Sequence, residues 1–203
     1  MATTKAAASE AGGMAAFSAR YPRNVPMRDG RQLQLRLMGR GDRDLVLAFA
    51  RALPADDLLF LRNDITEAPS VDEWIANIET GHSTAVLAVD GEHLAGYAAL
   101  HYQATSWTRH IGEIRLLTAP GYRGMGLGRM LAGETYAVGR ALGLKKLSAQ
   151  MTLDQAGARS TFERLGFKPE ALLTDFVIDA NGRTRDLLVM AYDLDGLTDT
   201  VDV

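Results

Sequence analysis

Apolar and polar residues alternate from Gln32 to Met38, with Leu33, Leu35 and Leu37 on one side and Gln32, Gln34 and Arg36 on the other. That period of two predicts a half-buried strand. Asp42 stands where it can cap a helix over 43–53, which Pro54 ends. Residues 55–69 carry no period and hold Asp56, Asp57, Asp64 and Glu67. Ser70, with Glu73 three residues on, has the capping-box pattern for a short helix, Val71 to Glu79. Strands follow over Thr84 to Val89 and His93 to Tyr102, with the hairpin pair Asp90-Gly91 between them. A third strand of this group spans His110 to Thr118. A glycine-rich loop then opens into a helix reaching Leu142, where Gly143 ends it. Lys146 to Met151 reads as a strand, Asp154 to Leu165 as a helix stopped by Gly166, and 171–179 and 184–193 as strands about the turn pair Asn181-Gly182. The order is strand, two helices, three strands, helix, strand, helix, two strands, with no internal repeat.

The chain has 203 residues, of which 47% are hydrophobic and 23% charged, enough for one domain with its own core and too apolar for a wholly disordered chain. It has no cysteine, which excludes a disulfide scaffold, a thiolate metal site and a cysteine nucleophile. A net charge of −3 supplies no global basic field, so no nucleic-acid partner is expected. No apolar run approaches the ~18 residues of a membrane span, and no membrane partner is expected. Residues 1–19 are rich in Ala, Gly and Ser and lack the layout of a secretory signal. The expected organisation is a disordered tail over 1–25, a domain over 26–195 and a second tail over 196–203, in a cytoplasmic protein.

The segment from Leu116 to Arg129, Leu-Leu-Thr-Ala-Pro-Gly-Tyr-Arg-Gly-Met-Gly-Leu-Gly-Arg, runs from strand through glycines into helix. Glycines let a ligand approach the backbone closely, and a helix start presents unpaired N–H groups under a partial positive charge. Together they suit a phosphate, with Arg123 and Arg129 adding formal charge. The same glycines also suit a tight turn with close helix packing. A P-loop is excluded because no lysine stands between Lys5 and Lys145. A dinucleotide fingerprint is excluded because Arg129 occupies the third glycine position and Gln150-Met151 ends the next strand where an acid would stand.

Arg123-x-x-Gly126-x-Gly128 resembles the pyrophosphate signature of the GNAT superfamily of acyl-CoA-dependent N-acetyltransferases. About 25 residues on, Gln155-x-x-Ala158-x-x-x-Phe162 followed by Gly166-Phe167 is similar to the family's Asn-x-x-Ala-x-x-x-Tyr…Gly-Phe segment. The resemblance spans Arg31 to Leu194 and implies an α/β (α+β) single domain. Its central sheet would be mixed but mostly antiparallel, with about seven strands, about four flanking helices, and splayed fourth and fifth strands. It further implies that acetyl-CoA is the co-substrate, with no metal. Leu116, Leu117 and Thr118 would pair with pantetheine, and Arg123, Gly124, Met125, Gly126, Leu127, Gly128 and Arg129 would hold the pyrophosphate. The acceptor would be a primary amine, on a small molecule or a protein lysine, in a bacterial chain whose oligomeric state stays open, a homodimer included.

Direct attack on the thioester needs a neutral amine, yet at pH 7 only roughly one lysine-like amine in 2,500 is neutral. The family places a Glu on the fourth or fifth strand. Here the fifth-strand position is Gln150, and Glu113, ten residues before Arg123, is the candidate base; bacterial Pat-type protein-lysine acetyltransferases are similar at that spacing. A solvated or Arg115-paired carboxylate is the competing reading. The family's tyrosine acid aligns with Phe162, so water, Tyr122 or Tyr136 would have to serve, or the thiolate would leave unaided. His110 is a second base candidate, Trp107 a candidate for the substrate mouth, and the acidic residues of 55–69 an attractor for a cationic amine. A non-catalytic acyl-CoA-binding sensor is the alternative class.

Overall fold

The structure is a computed structural model and describes residues 12–58, 61, 63–179 and 181–194. Residues 12–18 form a helix, α1. Strands β1 (Arg23–Pro26) and β2 (Gln32–Leu37) lead to helices α2 (Arg43–Ala52), α3 (Ala55–Leu58) and α4 (Ala68–Glu79). Strands β3 (Ser83–Asp90), β4 (His93–His101) and β5 (Ile111–Thr118) follow, then α5 (Leu127–Ala141), β6 (Lys146–Thr152), α6 (Ala156–Arg164), β7 (Lys168–Ile178) and β8 (Thr184–Asp193). The order across the sheet is β1-β2-β3-β4-β5-β6-β8-β7. Every pair is antiparallel except β5 with β6. The expected mixed, mostly antiparallel sheet is therefore present, with β1 as an eighth strand.

Both faces of the central strands are covered, so β3 and β4 are buried nearly throughout rather than alternating. One layer packs Leu127, Leu131 and Val138 of α5 and Phe162 of α6 against Leu100, Ile114 and Leu147. The other packs Val46 and Phe49 of α2 and Trp74 of α4 against Ala85, Leu87 and Tyr97.

The ladder between β5 and β6 runs only from Ile111 with Lys146 to Glu113 with Ser148. Beyond it the strands diverge, while β5 stays paired to β4 as far as Thr118 with Gly96. This is the splay expected of the fourth and fifth strands.

Three local expectations are corrected. The tail expected over 1–25 is ordered structure from residue 12 onward: Phe17 is buried, Met14 packs on the core, and β1 joins the sheet. The anchor is polar as well as apolar. Glu134, buried on α5, takes Arg20, Arg23 and the hydroxyl of Tyr21 as partners. Burial, then the Glu134 carboxylate, push the Tyr21 hydroxyl far above its ordinary value. Residues 1–11 and 195–203 of the expected tails lie outside the described residues. Second, Ser70 is not a cap, because α4 begins at Ala68 with Pro69 in its first turn, where a missing N–H costs nothing. Third, Asp42 precedes α2 without capping it. Its carboxylate instead takes the Gly39 amide at 2.8 Å and both terminal nitrogens of Arg36.

Candidate active site

β5 ends at Thr118 and passes through a 3-10 turn, Pro120–Tyr122, into α5. Gly124 and Gly126 between them have φ of +74° and +89°, a backbone that side chains other than glycine rarely adopt. Nothing lies within 4 Å of a Cβ built on Gly124, and Gly128 would meet only Leu116 Cδ2 at 3.7 Å. The cradle is therefore open above its amides, and Leu127, Gly128 and Arg129 start the helix with N–H groups that lack intrahelical acceptors. On the β6 side, residues 114–118 of β5 have no strand partner among the described residues. That leaves a main-chain edge beside Leu116, Leu117 and Thr118, where an extended chain can pair. Cradle and edge are continuous and fit a group with a phosphate at one end and an amide-bearing arm at the other.

The loop is pinned from outside. Arg31 donates to Gly121 O at 3.1 Å and lies 4.2 Å from the ring centre of Tyr122, whose hydroxyl donates to Asp90 at 2.8 Å. Met125 Sδ takes a further contact from Arg31 at 3.4 Å. Arg123 does not point its charge into the cradle. Its guanidinium folds back onto Thr118 O at 3.2 Å and Asp57 at 2.5 Å, so it braces the strand end. Arg129 is exposed, and its side chain has no ion pair or hydrogen bond with any described residue.

A cavity of about 860 Å³ opens on the sheet face covered by α2 and α4. Glu113 and Arg115 of β5, Ser148 and Gln150 of β6, and His101 of β4 form its floor; Trp74, Glu73 and Asn77 of α4 form a wall. Glu113 lies opposite His101 across one ladder and Ser148 across the other, and its carboxylate is ion-paired to Arg115. Arg115 also reaches Gln150 O at 3.4 Å, bridging β5 and β6 where they part. At the far end Lys146 is held by Glu170 at 2.6 Å.

Other sequence candidates fall elsewhere. His110 is exposed, and its carbonyl serves Lys145 and Lys146. Trp107 is 90% exposed, neither packed nor lining the cavity. Asp57 is taken by Arg123 and Asp64 by Thr66, so these acids do not gather around an amine. Tyr122 is held by Asp90. Tyr136 donates to Leu165 O at 2.8 Å and is pushed up to about 12 by burial and then by Tyr192. Phe162 is buried edge-on against Phe167, with ring centres 5.0 Å apart. Sequence reasoning missed Trp74, Tyr97, His101 and Lys146, each of which looks like a core or surface residue until the sheet register places it at the cavity. Among the described residues there is no cluster able to hold a metal.

With this geometry the class is settled by comparison. Residues 49–167 match the Acetyltransferase (GNAT) family, and the chain belongs to it. The chain is 35% identical over 119 residues to a streptothricin acetyltransferase of Streptomyces lavendulae, a match that spans 58% of this chain and 61% of that relative. In fold it resembles the GNAT domain of S. lividans PAT, with TM-score 0.70 and 16% identity over 86% of this chain and 98% of that one. It also resembles yncA of Salmonella typhimurium, solved with its cofactor acetyl-CoA, with TM-score 0.69 and 19% identity over 81% and 95%.

Proposed function

We propose that the protein transfers the acetyl group of acetyl-CoA to a primary amine of a small polar molecule seated in the cavity. The observation that carries this is the placement of Glu113. It stands on β5 where the strand is still paired to β6, and the same strand continues, past the point of divergence, into the glycine cradle. One strand thus serves both substrates from the two sides of the splay.

The amides of Gly124, Met125, Gly126, Leu127, Gly128 and Arg129 would hold the pyrophosphate, and the free edge of Leu116, Leu117 and Thr118 the pantetheine arm. Glu113 accepts a proton from the acceptor ammonium, directly or through water. The freed nitrogen attacks the thioester carbon, a C–N bond forms, the C–S bond breaks, and the sulfur leaves as thiolate. With Phe162 buried, the departing sulfur has no phenol at the family position. A thiol of pKa about 8.5 leaves tolerably without one.

Cavity size supports a small acceptor over a protein lysine, since about 860 Å³ lies in the range of small-molecule sites. The streptothricin-directed relative supports the same choice. A screen of amines with acetyl-CoA, read by mass spectrometry, tests the reading. The expected result is a mass gain of one acetyl on at least one small amine. Tight acetyl-CoA binding with no transfer to any amine would favour a sensor instead.

A further inference from the structure

Beyond the loop itself, the turn between β1 and β2 carries an arginine aimed at it. A Cβ built on Gly126 would lie 3.8 Å from Nε of Arg28, so Arg28 faces the open side of that glycine. The side chain is exposed and makes no hydrogen bond or ion pair with any described residue. Of the other arginines around the loop, Arg31 is engaged with Asp29 at 2.7 Å and with Asp90 at 3.8 Å, and Arg123 with Asp57. An arginine with no carboxylate partner among the described residues, beside a helix start that favours anions, has its guanidinium available to an incoming phosphate.

The backbone that carries it is held on both sides. Met27 is buried, its N–H donates to Arg31 O at 2.8 Å, and Gly30 closes the turn onto Met27 O at 3.0 Å. Arg31 then fastens the turn to Gly121 and Tyr122 of the loop. Turn and cradle are therefore joined by direct contacts, which limits the backbone entropy to be lost when Arg28 closes on a ligand.

We propose that Arg28 contacts the pyrophosphate of coenzyme A from the side opposite the α5 amides, a contact that rests on the reading of the loop as the pyrophosphate cradle. A guanidinium can bridge two phosphate oxygens, which a backbone amide cannot.

Calorimetry with coenzyme A and with 3′-dephospho-coenzyme A tests this on the full chain. Arg28→Ala is expected to weaken both ligands alike, about tenfold, and Arg28→Glu to weaken them further; Arg28→Lys should retain most of the affinity. The gap between wild type and Arg28→Ala should narrow as salt is raised. Melting temperatures should stay at the wild-type value, because the side chain has no partner to lose among the described residues. Unchanged affinity in Arg28→Glu overturns the proposal, and so does a loss confined to coenzyme A, which would put Arg28 at the 3′-phosphate. Wild-type protein that binds neither ligand would overturn the cradle reading and this contact with it.

Discussion

The carboxylate of Glu113 and the guanidinium of Arg115 meet on one face of β5, two residues apart, and form an ion pair at the floor of the cavity. Strand geometry sends positions i and i+2 to the same side, which brings the two side chains together. Both side chains are about 15% exposed, 16% for Glu113 and 15% for Arg115, enough for an acceptor to reach the carboxylate and too little for bulk water to dominate it. The arrangement also separates Glu113 from His110, whose side chain is exposed and outside the cavity lining.

Glu113→Gln should lower turnover by about 10²- to 10⁴-fold while acetyl-CoA affinity stays near wild type. His110→Ala should leave turnover within twofold or so, as expected for a residue that touches no reacting atom. Steady-state rates with the amine found in the screen decide both. Full activity in Glu113→Gln would remove it as the base.

Gly128 stands at the start of α5 with room for a side chain, and its φ needs no glycine. Gly128→Glu should therefore fold, with a melting temperature equal to or above wild type, because an acid in the first turn complements the helix dipole. It should nonetheless weaken acetyl-CoA at least about tenfold by putting negative charge on the cradle. A folded variant with undiminished affinity would show that the phosphates lie elsewhere.

Phe17 is 4% exposed inside the layer that carries α5. Phe17→Ala should cost about 3–5 kcal/mol in urea denaturation, the usual range for a buried phenylalanine. A cost below about 1 kcal/mol would mean that α1 does not dock.

Asp42 gives a pH signature. Burial raises its carboxyl, but Arg36 and the Gly39 amide outweigh burial and hold it below the ordinary value. A carboxyl depressed in the folded state stabilises above its unfolded pKa of about 3.9, and the contribution fades as pH falls through the lower folded value. Asp42→Asn should thus be less stable than wild type at pH 7, with the difference shrinking as pH drops below about 3.9. A difference independent of pH would exclude the Arg36 pair as its source.

Phe162→Tyr should be no less active than wild type, since the ring volume is nearly conserved. Loss of activity with the fold intact would show that the buried packing against Phe167 matters to catalysis in its own right.

Much of this architecture is legible along the chain. Period-two patterning from Gln32 to Leu37, turn chemistry at Asp90-Gly91 and at Asn181-Gly182, and the glycines of 124–128 are local signals. Their physics acts over a few residues, so most strand ends and both hairpin turns fall within a residue or two of expectation, while β7 starts three residues early and β1 carries no such signal. The spacing from Arg123 puts Glu113 on the strand where the structure has it, at the cavity floor. What the tertiary structure alone decided is which distant groups meet. The average composition of the first twenty-five residues hides Phe17 as an anchor and says nothing of Glu134, buried more than a hundred residues away and in need of partners. The register that sets His101 and Ser148 on either side of Glu113 depends on two ladders at once. Whether Arg123 points into the cradle or back to Asp57, and whether Arg28 finds Gly126, depends on the packing of three separated segments. Such meetings follow from the sum of many burial and pairing free energies across the whole domain, and no window of sequence contains that sum.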